Sequence, residues 1–314
     1  MKTLREQAEE IMAERSTQIV KREKLLKIGL TNNDIQQLFF AERLSKKLAA
    51  KERREAKANA IVEETIEQII ARYTFGVEIE CYNANVASLL INARERGLEM
   101  HHESYNHTDN NRYYKLVSDG SISGNNPIEC VSPILNGNEA GFNSLKACCD
   151  SLNSIGAKVN RSTGLHIHVG GNITEKQYCN VFANYYFLEP IIDKFMSPSR
   201  RDNHYAKAIK LCDGLKNART FEDVREALDN DRYYKINCMS WIRHHTIEFR
   251  QHQGSTDYNK ISYWAKFCLK LVHWSAENRL SCFVRNVSDI PFLDSDEKSF
   301  FIDRVNVFEG LMAA

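Results

Sequence analysis

Three short runs of this sequence set ionisable groups at every second position of an otherwise apolar pattern. In Phe75-Gly-Val-Glu-Ile-Glu80, the residues Phe75, Val77 and Ile79 alternate with Gly76, Glu78 and Glu80. Side chains alternate faces along a β-strand, so the apolar set points one way and both carboxylates the other, about 6–7 Å apart along the backbone. Two carboxylates at that spacing can serve neighbouring cations, which sit about 3.5–4 Å apart in two-metal sites. An ordinary strand with glutamates on its wet face would read the same, although glutamate is a poor strand former. Gly164-Leu-His-Ile-His-Val169 repeats the pattern, with Leu165, Ile167 and Val169 inward and His166 and His168 together on the other face. Imidazoles so placed can bind a metal, though one of such a pair often only supports the other. Thr246-Ile-Glu-Phe-Arg250 repeats it again, sending Glu248 and Arg250 outward. There the plain alternative is an ion pair, worth little if exposed. Glu129, in Pro127-Ile-Glu-Cys-Val-Ser-Pro133, adds a carboxylate to an apolar run.

Taken together these runs predict a sheet face bearing Glu78, Glu80, Glu129, His166 and Glu248. Four carboxylates cannot crowd one face unless cations neutralise them or some stay protonated. Hard oxygen donors with one imidazole suit Mg²⁺ or Mn²⁺ better than a thiolate-seeking metal. Arg250, with Arg200, Arg201 and Arg243 near it in sequence, offers cationic forks for phosphate or carboxylate. Acids, a histidine and arginines around a divalent cation are what phosphoryl transfer from a nucleotide requires. There is no serine elbow, no GxxxxGK phosphate loop and no GxGxxG fingerprint.

Positioning these groups requires a sheet, and the sequence changes texture near residue 72 to supply one. Beyond it, strand-like runs (YTFGVEIECY, YYKLVSDGS, IECVSPIL, GLHIHVGG, TIEFRQHQGS) interleave with helical patterns at 85–96, 140–155, 174–195, 220–229 and 259–278. This predicts an α+β domain over 73–314: a mostly antiparallel sheet with helices on one face. Residues 1–72 contain no proline and one glycine, Gly29, and are rich in helix formers. They predict a charged helical extension of three helices: one over about 2–28 ending at Gly29, a second from Asp34 capped by Thr31 or Asn32, and a third charged stretch over 51–70. Ile35, Leu38 and Phe39 give the second an apolar face. Helix, glycine turn and capped helix also match the rhythm of a DNA-binding hairpin, but a hairpin that packs on a domain or a partner is the commoner use of the pattern.

The whole chain has 314 residues, 42 Lys+Arg against 41 Asp+Glu, and a formal net charge of +1. That balance argues against a polybasic nucleic-acid coat and against an acidic tail. No run approaches the roughly 20 apolar residues of a membrane helix, and the start lacks a signal-peptide core. Nine cysteines with no CxxC pair argue against a disulfide framework or structural zinc. A reduced, cytoplasmic protein is the expectation.

FGVEIE, SDGSI, IECVSP, GLHIHV, RYYKIN and TIEFRQHQGS occur here in an order that resembles the amidoligases. These are carboxylate–amine ligases of the glutamine synthetase and glutamate–cysteine ligase superfamily. The resemblance covers roughly 73–280 and leaves out the N-terminal helices. It implies a curved antiparallel sheet whose concave face holds ATP, Mg²⁺ or Mn²⁺, and substrate. It implies that Glu78 and Glu80 divide between two metal sites, that His166 and Glu248 serve the metal bridging the nucleotide phosphates, and that Glu129 serves the other. Arg250 would contact substrate or transferred phosphate, with Glu248 and Asp119 also at the reaction centre. Arg200 and Arg201 would hold phosphates, Asp119 and Ser121 form the DGS turn, and Tyr233, Lys235 and Asn237 match a motif of no firm role. The sequence departs from the family in Gly254-Ser255, where the family has Gly-Thr, and in the paired His244 and His245 before the last strand.

The implied reaction forms an amide or isopeptide bond through an acyl phosphate made with ATP. The expected partners are small-molecule or peptide carboxylates and amines, with neither membrane nor nucleic acid, and the N-terminal helices are a candidate surface for a protein partner. Two alternatives stay open: a metal-dependent hydrolase using His166, His168 and Glu248 with an activated water, and a non-catalytic binding protein recruited by its N-terminal helices.

Overall fold

The computed structural model describes residues 2–62, 66–104 and 112–310, which divide into two compact units, Met1–Thr65 and Ile66–Ala314. The side chains of residues 50–67, which include most of the charged third stretch, lie outside the described residues. In the first unit, α1 (Leu4–Ala13) opens on a capping box between Thr3 and Glu6, and α2 (Gln18–Lys27) follows Thr17, whose hydroxyl accepts from the Val20 amide. One continuous helix was the sequence expectation here. Two form because Glu14 and Thr17 adopt extended backbone and the Thr17 oxygen offers the second helix a cap. Gly29 does end α2, at φ +96°, where its amide and that of Leu30 return to the Leu26 and Leu25 carbonyls. Thr31 then caps α3 (Asn32–Val62): it accepts from the Asp34 amide while the Asp34 carboxylate accepts from the Thr31 amide. The expected second helix and most of the third stretch are one 31-residue helix, since no glycine or proline interrupts it. Ala8, Leu25 and Ile35 form the small core, with Leu38 and Phe39 packed on it.

The second unit opens on α4 (Ile66–Ile70) and β1 (Thr74–Cys81). Next come α5 (Val86–Glu95), β2 (Met100–His102), β3 (Tyr114–Val117), β4 (Ile128–Val131) and β5 (Leu135–Asn136). The chain continues through α6 (Glu139–Ser154), β6 (Gly164–Gly170), α7 (Glu175–Phe195), α8 (Phe221–Ala227) and β7 (Ile236–Asn237). It closes with α9 (Ser240–His244), β8 (Ile247–Gln253), α10 (Tyr258–Trp274) and α11 (Ser295–Phe308). Among the described residues the strands make one eight-stranded sheet in the order β2-β3-β4-β1-β6-β8-β7, with β5 also paired to β1. Only β2–β3 is parallel.

One sheet face is the core. Phe75, Val77 and Ile79 of β1, Leu165, Ile167 and Val169 of β6, and Ile247 and Phe249 of β8 are all buried there with residues of α6, α7 and α10. Each such side chain contributes roughly 1.5–3 kcal/mol by leaving water. That alternation commits the intervening residues to the opposite face, so packing of the apolar set fixes where the ionisable groups go. Strands of two or three residues are too short to show a period of two, and β2, β5 and β7 escaped the sequence reading for that reason.

Candidate functional site

Register turns sequence alternation into a lattice of ionisable groups. Glu78 of β1 lies opposite His166 of β6, and Glu80 opposite Glu129 of β4. Glu248 of β8 lies opposite both His168 of β6 and Asn237 of β7. Between Leu165 and Ile167 the β6–β8 register shifts, so Arg250 and Gln251 share the space across from His166. A bulge of this kind re-aims side chains: Arg250 turns to the open face while Gln251 is buried beneath the sheet.

The open face floors a cavity of about 1070 Å³. His166 Nδ1 lies 2.9 Å from Glu78 Oε2, and His166 Nε2 lies 3.7 Å from Glu80 Oε1. His168 Nε2 is 3.2 Å from Glu78 Oε1, while its Nδ1 meets the Thr246 hydroxyl at 3.0 Å. The Gly164 amide donates to Glu80 Oε2 at 2.6 Å, and Asn237 Nδ2 donates to Glu248 Oε2 at 2.5 Å. Arg250 pairs with the other oxygen of Glu248. Three groups of donor atoms lie within 4.8 Å of one another: Glu78–Glu129–His166, Glu78–His168–Glu248 and Glu80–Asp119–Glu129.

The four acids differ in their electrostatics. Burial would raise the Glu78 carboxyl, but the imidazoles of His168 and His166 overcome it and hold its pKa well below the ordinary value. Glu248 is likewise lowered against its own burial, chiefly by Arg250 and His168. Burial would depress His168, yet Glu78 and Glu248 raise it. Glu129 has no such help: burial and then Glu78, Glu80, Asp119 and Glu248 push its carboxyl well above the ordinary value. A carboxyl in that state gains most from an arriving cation.

The structure brings Glu78, Glu80, Glu129, His166, Glu248, Asp119 and Arg250 into one cavity wall, with Ser121 and Tyr233 on it too. Asp119 forms a turn in which its carboxylate accepts from the Ser121 amide at 2.7 Å. Arg200 and Arg201 part company. Arg200 is buried, donates to the Arg250 carbonyl and faces the cavity, and burial with Arg250 nearby draws its pKa down to about 10 despite Glu80. Arg201 lies off the cavity and donates to the Met196 carbonyl at 3.2 Å. Successive residues of one 3₁₀ turn point in different directions, so the pair cannot act as a double fork. Lys235 also leaves the site: it is fully buried against Glu189 and Asp193 of α7. Asn237, given no firm role from sequence, holds Glu248 in place. His168 completes a donor group, and Lys115 of β3, 95% buried, lines the cavity. A lysine inside the run YYKLV was the available signal for the latter. His244 and His245 sit on the rim, His245 in left-handed backbone at φ +51°, a conformation histidine adopts more readily than most residues.

Gly164 explains how a histidine and an arginine come so close. A Cβ there would lie 3.1 Å from both His166 Nε2 and Arg200 Nη2. Gly164→Ala is expected to cost about 1–3 kcal/mol as overpacking and to displace one of those side chains. Thermal melts and nucleotide titrations check it; a variant matching wild type in both would mean that the close approach is unimportant.

Comparison with known proteins agrees with the motif order. The family model described as "Putative amidoligase enzyme" matches residues 71–272, close to two thirds of the chain. No curated protein matches. Among solved structures, the chain is similar to a bifunctional glutathione synthetase from Pasteurella multocida, at 12% identity and a TM-score of 0.36. The likeness covers 78% of this chain and 41% of that one, so the chain spans about two fifths of that protein's length.

Proposed function

The chain belongs to the amidoligase family, and from that premise we propose that it is an ATP-dependent carboxylate–amine ligase. The observation that carries this is the acid–imidazole lattice of Glu78, Glu129, His166 and Glu248 set beside the buried Arg200 and the partly buried Arg250 in one cavity. The donor set fits Mg²⁺ or Mn²⁺: carboxylates predominate, imidazole completes the groups, no thiolate takes part, and Glu129 stands against four neighbouring acids. Glu78, Glu80, Glu129, His166 and Glu248 would hold the ions, with His168 and Asp119 within reach. Bound there, divalent cations screen the nucleotide phosphates and polarise the group in transfer. The mostly antiparallel sheet with its ionisable open face accords with the glutamine synthetase and glutamate–cysteine ligase superfamily.

The chain's own residues then have distinct tasks. Arg250, oriented by Glu248, and Arg200, fixed by the Arg250 carbonyl, hold phosphate oxygens as charge develops on them. A substrate carboxylate oxygen attacks the γ-phosphorus and ADP leaves, giving an acyl phosphate. The amine nitrogen attacks the acyl carbon, phosphate departs, and the nitrogen loses a proton as the amide forms. The Asp119–Ser121 turn lies on the same wall, and in this reading it would contact the acyl substrate.

Calorimetry with ATP in EDTA and in excess Mg²⁺ tests the reading. Binding is expected at least about tenfold tighter with Mg²⁺, roughly 1.4 kcal/mol, because phosphates cannot approach the acid face without cations. Equal affinities would overturn it. Nucleotide turnover that appears only with pooled carboxylates and amines distinguishes a ligase from a hydrolase or a binding protein.

A further inference from the structure

Two hydroxyls behind the second histidine of β6 have no task in the ligase reading. The five-residue α9 ends at His245 in left-handed backbone, whose amide returns to the Trp241 carbonyl at 3.1 Å. That reversal lays Thr246, the residue before β8, against Ser240, the first residue of α9, and their hydroxyl oxygens lie 2.7 Å apart. His168 Nδ1 closes a triangle, 3.0 Å from the Thr246 oxygen and 3.3 Å from that of Ser240. Ser240 is buried, so these groups satisfy one another rather than water. The far side of the same ring is different. His168 Nε2 is buried without a hydrogen bond, although Glu78 Oε1 lies 3.2 Å and Glu248 Oε1 4.0 Å from it. A protonated Nε2 would donate to the nearer carboxylate. A bare Nε2 sets its lone pair against two carboxylate oxygens, an arrangement that a cation among them makes favourable. Glu78, His168 and Glu248 each offer a donor atom within 4.8 Å of the others, while the second oxygen of Glu78 meets His166 at 2.9 Å.

We propose that Ser240 and Thr246 are positioning residues, whose paired hydroxyls take the Nδ1 proton of His168 as a hydrogen bond and so present its bare Nε2 to a divalent cation between Glu78 and Glu248. The inference rests on the metal-binding reading of the cavity. A neutral imidazole carries one ring proton, and the partner of one nitrogen decides which nitrogen keeps it. The Thr246 O–H donates to the Ser240 oxygen, which leaves only acceptor lone pairs on Thr246 for Nδ1. Ser240 therefore matters through Thr246. Without it the Thr246 O–H is free to turn and donate to Nδ1, which moves the ring proton to Nε2 and closes the ligand position. Outer partners that orient a ligating histidine in this way are worth about 10–100-fold in metal affinity.

Mn²⁺ is the probe, followed by loss of its free-ion EPR signal on titration with full-length protein, and melts in EDTA check that each variant folds. Ser240→Ala and Thr246→Val are each expected to weaken Mn²⁺ binding about tenfold, and Thr246→Ser to keep it within about twofold. In a His168→Gln background the same changes should cost nothing further, since the ligand they serve is gone. Wild-type affinity in either folded variant overturns the proposal. So does an equal loss with and without His168, which would make the hydroxyls structural. Long-range ¹H–¹⁵N spectra of the wild type need no hydroxyl variant, and the His168 ring is identified by its absence from His168→Gln. In Mg²⁺-saturated protein that ring should carry its proton on Nδ1 alone; a proton on Nε2 overturns the proposal. Uptake of no Mn²⁺ by wild type, alone or with a non-hydrolysable ATP analogue, refutes the metal-binding reading itself, and the role of Ser240 and Thr246 falls with it.

Discussion

Lys235→Met is expected to lose about 3–5 kcal/mol of stability, the cost of removing one partner from a buried ion pair. Lys235 Nζ lies 2.6 Å from both Glu189 Oε1 and Asp193 Oδ1, and the Lys235 and Glu189 side chains are fully buried. The pair is tied further into the fold. Glu189 Oε1 accepts from the Ile209 amide, Asp193 Oδ1 accepts from Gln251 Nε2, and Gln251 Oε1 accepts from the Tyr185 hydroxyl. Methionine fills similar space but leaves Glu189 as a carboxylate whose burial already raises its pKa against the pull of Lys235. At about 2–4 °C per kcal/mol for a unit of this size, the melting point should fall by roughly 6–20 °C. Adding Glu189→Gln should recover part of the loss, because the uncompensated charge goes with it. A ligand-contacting lysine would behave otherwise, with an unchanged melt and weaker nucleotide binding, and that result would return Lys235 to the site.

Lys235 also marks where sequence reading reaches its limit. Alternation along β1, β6 and β8 was enough to put Glu78, Glu80, His166, His168 and Glu248 on one face, because each strand is seven or eight residues long and apolar residues alternate with these groups along the stretch that carries them. In RYYKIN the same rule would place Tyr233, Lys235 and Asn237 together. The strand there spans only Ile236–Asn237, so Tyr233 and Asn237 reach the cavity and Lys235 goes to α7. What alternation cannot supply is register. That Glu78 meets His166, that Glu80 meets Glu129, and that a bulge in β8 turns Arg250 outward all depend on pairings between residues up to about 90 positions apart. Arg200 and Arg201 look equivalent in sequence, and only the 3₁₀ turn that carries them separates the buried cavity residue from the one that caps a carbonyl. The helices expected over 174–195 and 259–278 form at Glu175–Phe195, capped by Thr174, and Tyr258–Trp274, capped by Asp257, whereas α11, capped by Asp294, was not expected from the sequence.

Register also separates acids that look alike in sequence, and this leads to opposite expectations for two isosteric changes. Glu129 faces burial and four acidic neighbours with its carboxyl pushed upward, whereas Glu248 is held down by Arg250 and His168. In EDTA, Glu129→Gln removes a charge that its neighbours repel, so the variant should melt at or above wild type. Glu248→Gln removes the carboxylate that pairs with Arg250 and accepts from Asn237. Arg250 is then left largely buried without its counter-charge, and the expected loss is about 3–5 kcal/mol. Mg²⁺ and ATP should stabilise both variants by the same reduced amount, leaving the gap between them in place. Ligand at 100 times its dissociation constant stabilises the folded state by about 2.7 kcal/mol, and a tenfold weaker site gives up roughly 1.4 kcal/mol of that. If both acids hold metal, both variants should show the smaller shift. Melts of wild type, Glu129→Gln and Glu248→Gln, each in EDTA and in Mg²⁺–ATP, make the comparison. Glu129→Gln melting clearly below wild type in EDTA, or keeping the full Mg²⁺–ATP shift, would mean that Glu129 is a structural acid and that the metal-binding lattice is misassigned at its most strained member.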